Sequence, residues 1–269
     1  MRLWPSMAGI ALLTIGLVAL ETRFFPDAPS STAIHSLLGF ALSLFLVFRT
    51  NTAYDRWWEG RRQWGELVNH SRSLAMKIHA DRAQWTESEW EAWRCLIPNF
   101  ASELRYHLRG QRRPAHADLP GCAIPAWQHT PAALAQAMFD LLAKGTQAGR
   151  IEATRAWSME REIKGFVDIM GACERIMKTP IPYAYSMFMK KFIFLYVVTL
   201  PLGLVGQFQW WSVPIAVFIF YILVSIELIA EEIEDPFGED ANDLPTDDLA
   251  QTIAKNVAEI LGDSENQMA

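Results

Sequence analysis

At 269 residues, 51% of them hydrophobic and with 11 Trp and 15 Phe, the chain is too short for several large soluble domains and more apolar than an average one. A net charge of −6, with no basic stretch that combines with aromatics in a recognised motif, speaks against a nucleic-acid partner. Cys95, Cys122 and Cys173 are widely spaced and odd in number, which predicts free thiols in a reducing compartment, without a disulfide framework or a zinc spacing.

The apolar excess is local. Four windows are nearly free of charge, Leu3 to Leu20, Thr32 to Phe48, Phe192 to Val205 and Phe208 to Ile226, and each is 14 to 19 residues long. That is slightly under the roughly 20 residues that cross a hydrocarbon core, so each span borrows flanking residues. The first window follows Arg2 as a secretory signal would, but no small-x-small cleavage site precedes Glu21, and three further spans follow. The pattern predicts an all-α membrane protein with four transmembrane helices.

All Lys and Arg except Arg2, Arg23 and Lys255 lie between Arg49 and Lys191. By the positive-inside rule, Arg49, Arg56, Arg61, Arg62, Lys178, Lys190 and Lys191 near the span ends place the middle segment in the cytoplasm, and with it both termini. Only the loops Glu21 to Ile34 and Gly206 to Trp211 then reach the outer face.

The second span runs without a break into an arginine- and tryptophan-rich helix, FALSLFLVFRTNTAYDRWWEGRRQW, from Phe40 to Trp64. Phe40, Leu44 and Phe48 recur every four residues and stack along one helical face, while Leu38, Leu42, Phe45 and Leu46 occupy a second. Such a stripe fits ordinary contact with lipid or another helix, and it also fits a hydrophobic constriction lined by several copies. Gly39, Ala41 and Ser43 are small enough to admit a neighbouring helix. Beyond the stripe, Arg49, Asp55 and Arg56 sit at the membrane edge, where charges need partners. Trp57 and Trp58 fit an interfacial belt equally well.

From Asn51 to Thr179 apolar residues recur three and four apart over Trp57 to Ile78, Ser88 to Leu108, Pro131 to Leu142 and Ile151 to Met177, which predicts a helical domain. Arg109 to Thr130, rich in Gly and Pro, reads as a surface loop. Thr179-Pro180-Ile181-Pro182 ends the domain. After the fourth span Glu227 to Glu234 continues helically, Pro236 and Gly238 stop it, and an acidic run leads to a short helix at Leu249 to Leu261 and a polar end at Gly262 to Ala269. The chain thus divides into residues 1–56 (spans one and two), 57–180 (cytosolic helices), 181–234 (spans three and four) and 235–269 (acidic tail). Candidates for chemistry, His70, His79, Glu103, His107 and Cys173, form no Ser/His/Asp order, zinc spacing or phosphate loop, so an enzyme is not expected.

Three segments in order, FLVFRTNTAYDRWWEGRRQWGELVNHSR at Phe45 to Arg72, CERIMKTPIPYAYS at Cys173 to Ser186 and EDPFGEDANDLP at Glu234 to Pro245, resemble the bestrophins. The resemblance runs from about Leu12 to about Ile260. It implies a homopentameric ion channel whose second helix lines a narrow hydrophobic neck above a helical cytosolic vestibule with a second constriction. Counted from Arg56-Trp57-Trp58, the neck falls on Phe40, Leu44 and Phe48, and Arg56, Trp57 and Trp58 tie neck to vestibule. Counted from Cys173-Glu174-Arg175, the lower constriction falls near Thr154, where a hydroxyl ring would be wetter than the family's usual apolar residue, unless Ile151 or Trp157 serves instead.

Eukaryotic bestrophins hold calcium in an acidic clasp after the fourth span. The matching run here is Glu239, Asp240, Ala241, Asn242 and Asp243, so two acidic positions are Ala and Asn, and the run lacks EF-hand spacing. A structural cap on the fourth helix is the expected role, with no calcium regulation, no resident metal and no cofactor. The family's amphipathic segment before the first span has no counterpart, so either the native start lies upstream or any ligand it would supply is missing. The resemblance to the bacterial branch implies a bacterial inner membrane, with lipid, permeant monovalent ions and further copies of the chain as partners. Eukaryotic members pass chloride and at least some bacterial ones pass cations; a charge of −6 per copy mildly favours cations if the carboxylates face the conduit. A non-conducting scaffold of the same fold is the alternative.

Overall fold

The structure, a computed structural model, describes residues 3–24, 33–111 and 129–262. Eight α-helices follow one another in these segments: α1 (Trp4–Phe24), α2 (Ala33–Ala80), α3 (Glu87–Leu108), α4 (Thr130–Gln147), α5 (Ala153–Lys178), α6 (Tyr183–Phe208), α7 (Ser212–Glu234) and α8 (Thr246–Leu261). No strand occurs among the described residues. Most of the loop expected at Arg109 to Thr130, part of the loop at Glu21 to Ile34, and nearly all of the polar end lie outside them.

The chain forms two compact units, Met1–Arg56 with Pro180–Glu234, and Trp57–Thr179 with Asp235–Ala269. Among the described residues, three stretches are long and apolar enough to cross a membrane: Trp4–Phe24, Ala33–Ala80, whose part beyond Arg56 belongs to the second unit, and Tyr183–Glu234. The last contains both α6 and α7, so α-helices carry most of each of the four charge-poor windows. One boundary differs from the sequence reading. α6 continues past the third window to Phe208, so that of the loop expected at Gly206 to Trp211 only the 3-10 turn Gln209–Trp211 remains, with Gln209 at a positive φ of 46°. Joining two long helices through so short a turn requires one residue outside the right-handed region, and Gln209 is that residue.

α1, α6 and α7 pack against one another. Leu42 and Leu46 of α2 are buried with Met189, Ile193 and Val197 of α6. Gly39 permits this approach, since a Cβ there would lie 2.7 Å from the Tyr196 hydroxyl, and Gly203 does the same beneath His35 at 2.7 Å. Gly39 in α2 thus lets α6 approach closely.

The second unit is a helical bundle around three fully buried tryptophans, Trp64, Trp90 and Trp93. α3 packs against α4, α5 and α8. Its inward face, Trp90, Trp93, Ile97, Phe100, Ala101, Leu104 and Leu108, keeps the three-four spacing of an amphipathic helix. The ring of Phe100 meets Phe166 of α5 edge to face at 4.9 Å. α8 buries Ala250, Ile253, Val257 and Leu261 in the same way.

The start of α3 is fixed locally. Thr86 accepts the Glu89 N–H while the Glu89 carboxylate accepts the Thr86 N–H, a complete capping box. The same carboxylate accepts two N–H groups from Arg150 at 2.6 Å each. One expectation is corrected here: Cys95 is disulfide-bonded rather than a free thiol. Three widely spaced cysteines do not single out a pair. Cys173 is free and buried, and Cys122 lies outside the described residues.

The Arg150 fork holds the Glu89 carboxyl at about 2, against an ordinary 4.5, although burial opposes the shift. Because the folded value is depressed, the stabilisation is full above pH 4.5 and is lost as pH falls towards 2. Glu89→Gln is expected to cost the protein about 2 kcal/mol at neutral pH and to flatten that acid limb. Thermal unfolding of both proteins across this pH range checks it; a parallel acid limb in the variant assigns the loss to other carboxylates.

Candidate functional site

The two faces of α2 have opposite fates within the first unit. Leu42, Leu46, Arg49 and Ala53, spaced four, three and four apart, are buried. Phe40, Leu44 and Phe48 on the other side are 71%, 47% and 55% exposed. The exposed arc is broad, taking in Leu37 and Val47. Phe45 leaves it to meet the rings of Phe188 and Phe192 on α6 at 5.9 and 6.4 Å.

One turn beyond Leu46, the guanidinium of Arg49 is only 1% exposed. It donates to Glu234 Oε2 at 2.6 Å, with Glu227 Oε1 3.9 Å away. The other Glu234 oxygen accepts the Ile181 N–H at 2.9 Å, and its backbone carbonyl accepts from Arg56 Nε at 2.9 Å. Glu234 therefore holds α2 twice and pins the Pro180–Pro182 turn before α6. Lys190 pairs with Glu231 at 2.7 Å. The sequence marked Arg49 as a charge needing a partner but did not name Glu234; the available signal was that Glu234 ends a charged stretch continuing the fourth span.

Trp57 and Trp58 fall in the second unit. Their rings stack at 6.5 Å, and Trp57 Nε1 donates to the Asn242 carbonyl at 3.0 Å. This anchors the acidic run. In that run Asp243 Oδ2 accepts the Asp240 N–H at 2.6 Å, and Glu239 accepts from Gln111 at 2.8 Å with Arg109 3.7 Å away. The Glu239 and Asp243 carboxylates are thus engaged with the chain itself. Thr154 is exposed in the first turn of α5, its hydroxyl donating to Glu152 at 2.8 Å. Of its two substitutes, Ile151 is buried in the core and Trp157 is exposed.

The residues considered for catalysis do not assemble. His70 binds Glu162 at 2.7 Å beside Lys77, a structural triad. Glu103 is buried in α3, and burial pushes the Cys173 thiol up to about 12, so it is no nucleophile. A cavity of about 700 Å³ between α1, α6 and α7 has a mostly apolar wall, with the paired Lys190 and Glu231 at its edge.

A helical chain with apolar stretches long enough to cross a membrane belongs to the class of helical membrane proteins. Its family follows from comparison: the model described as Bacterial/Fungal Bestrophin protein matches residues 1–259, and the chain belongs to the bestrophin family. A Nostoc protein named voltage-dependent anion channel-forming protein is 35% identical, over 84% of this chain and 76% of that one. The similarly named YneE of Escherichia coli K12 is 32% identical over 86% and 77%. Among solved structures, a bacterial bestrophin homologue from Klebsiella pneumoniae is 25% identical, covers 98% of this chain and 100% of its own, and superposes with a TM-score of 0.89.

Removing the Glu234 carboxylate leaves a buried guanidinium without its close partner. Glu234→Ala is expected to destabilise the protein by about 3–5 kcal/mol. Glu227→Gln, which removes a carboxylate 3.9 Å from Arg49, should be near neutral by comparison. Unfolding temperatures in detergent rank the two, and equal losses would show that Glu234 has no special part in holding Arg49.

Proposed function

We propose that the protein is a bestrophin-type ion channel, a homopentamer with four transmembrane helices per copy, set in a bacterial inner membrane with both termini in the cytoplasm. Phe40, Leu44 and Phe48 of five α2 helices form the neck. The observation that carries this reading is the split of α2: its buried side is spent on α6 and Arg49, while the three residues at four-residue spacing stay exposed. Exposed aromatic and aliphatic rings around an axis make a constriction that gates by excluding water. Leu37 and Val47, beside the stripe, are placed to meet the adjacent copy.

Arg56, Trp57 and Trp58 support the neck from below, through Glu234 in one unit and Asn242 in the other. Thr154 or Trp157 forms the lower constriction; the burial of Ile151 removes it from that role. Calcium is not required, since Glu239 and Asp243 are taken up by local contacts.

The permeant ion is an anion. The names of the relatives carry this choice. The net charge of −6, about −30 for five copies, favours a monovalent cation as the second reading.

Purified protein in a planar bilayer under a potassium chloride gradient should reverse near the chloride equilibrium potential, and reversal near the potassium value replaces the anion with the cation. Phe40→Ala, Leu44→Ala and Phe48→Ala together should raise single-channel conductance several-fold; unchanged currents would remove the stripe from the gate. Absence of any conductance from a stable pentamer favours the scaffold.

A further inference from the structure

The second unit contains a cluster that neither the family assignment nor the conduction pathway uses. His107, in the last turn of α3, His129, the residue that caps α4, and Glu174 of α5 meet at one point, their ligating atoms all within 4.8 Å of one another. Both imidazole Nε2 atoms face the same carboxylate oxygen, at 3.1 Å from His107 and 2.6 Å from His129. The rings lie 4.3 Å apart, and Lys178 donates to the second Glu174 oxygen at 3.2 Å. All three side chains are partly open to solvent.

We propose that His107 Nε2, His129 Nε2 and Glu174 Oε1 bind a zinc-class divalent cation, bridging α3, α4 and α5. Two imidazoles and one carboxylate are a donor set that zinc accepts in tetrahedral geometry, leaving a fourth position for water. Bonds of about 2.0–2.1 Å would place ligand atoms about 3.3 Å apart, so the carboxylate oxygen must separate from the two nitrogens by less than an ångström. Hard cations such as calcium and magnesium prefer more oxygens than the site offers.

The protonation state suits this exchange. Burial, with the neighbouring His129, holds His107 below its ordinary value and hence neutral. Burial alone would raise Glu174, but N–H donation from His129 and Lys178 keeps it below the usual range and ionised. The metal takes the place of the two imidazole protons now pointing at Oε1.

His129 loses something. Its Nδ1 accepts the Ala132 N–H at 3.2 Å, so a metal on Nε2, which moves the ring proton to Nδ1, breaks the α4 cap. One neutral hydrogen bond is about a ten-fold effect, small beside three metal bonds.

The test uses the full-length protein, purified on a tag without histidine and stripped of metal. Equilibrium dialysis should give one zinc per chain, with zinc raising the unfolding temperature and cobalt giving the visible bands of a tetrahedral complex. His107→Gln and Glu174→Gln should each weaken zinc at least ten-fold. His129→Asn should do the same while keeping a capping side chain, so its fold is preserved. His70→Gln, at the separate His70–Glu162 pair, should leave binding unchanged. Retention of zinc by the His107→Gln, His129→Asn double variant overturns the assignment, as does equal stabilisation by magnesium or a failure to bind zinc at all. None of these readouts depends on conductance, so the site stands or falls apart from the channel reading.

Discussion

The first unit depends on a single buried charge. An arginine that is 1% exposed among apolar helices is tolerable only if its charge is met, and Arg49 is met by a residue almost two hundred positions away in the chain. Because Glu234 is the last residue of α7, its backbone carbonyl is not committed within that helix and is available to Arg56. Its side chain can then serve Arg49 and the Ile181 N–H together. The end of one helix thereby fixes the rotation of another about its own axis.

Fixing that rotation decides which side chains remain exposed. With Arg49 turned inward, Leu42, Leu46 and Ala53 follow it, because they share its face. Phe40, Leu44 and Phe48 must then face away. A conserved volume of packing alone would not set this, since Leu, Phe and Val can exchange faces of an apolar helix at small cost. A charge cannot, because turning Arg49 outward would bring it out of reach of Glu234 while leaving two carboxylates behind.

Much of this was legible in the sequence, and the reason is periodicity. Charge-free windows located the helices of the first unit, and three-four spacing located α3 and α5 to within a few residues. What escaped depended on distant partners. Arg49 announced its need for a carboxylate, but Glu227, Glu231, Glu232 and Glu234 crowd the end of α7, and only their positions around the helix separate Glu234 from Glu231, which turns to Lys190. The meeting of His107, His129 and Glu174 likewise joins residues from three helices or their caps, at separations no motif spacing encodes.

The acidic run shows why similar letters need not keep similar chemistry. A calcium site needs several oxygens converging on one ion, and two carboxylates of this run, Glu239 and Asp243, have partners within the chain. Asp243 closes its own turn on the Asp240 N–H. It is held close by Gly238, where a Cβ would lie 2.6 Å from its carboxylate. Asn242 gives its carbonyl to Trp57, and Glu239 goes to Gln111. Freeing these oxygens for an ion would undo the turn that carries the chain from α7 to α8, whose apolar face completes the core of the second unit. The contacts of Glu239, Asn242 and Asp243 thus tie the run to its own turn and to the second unit.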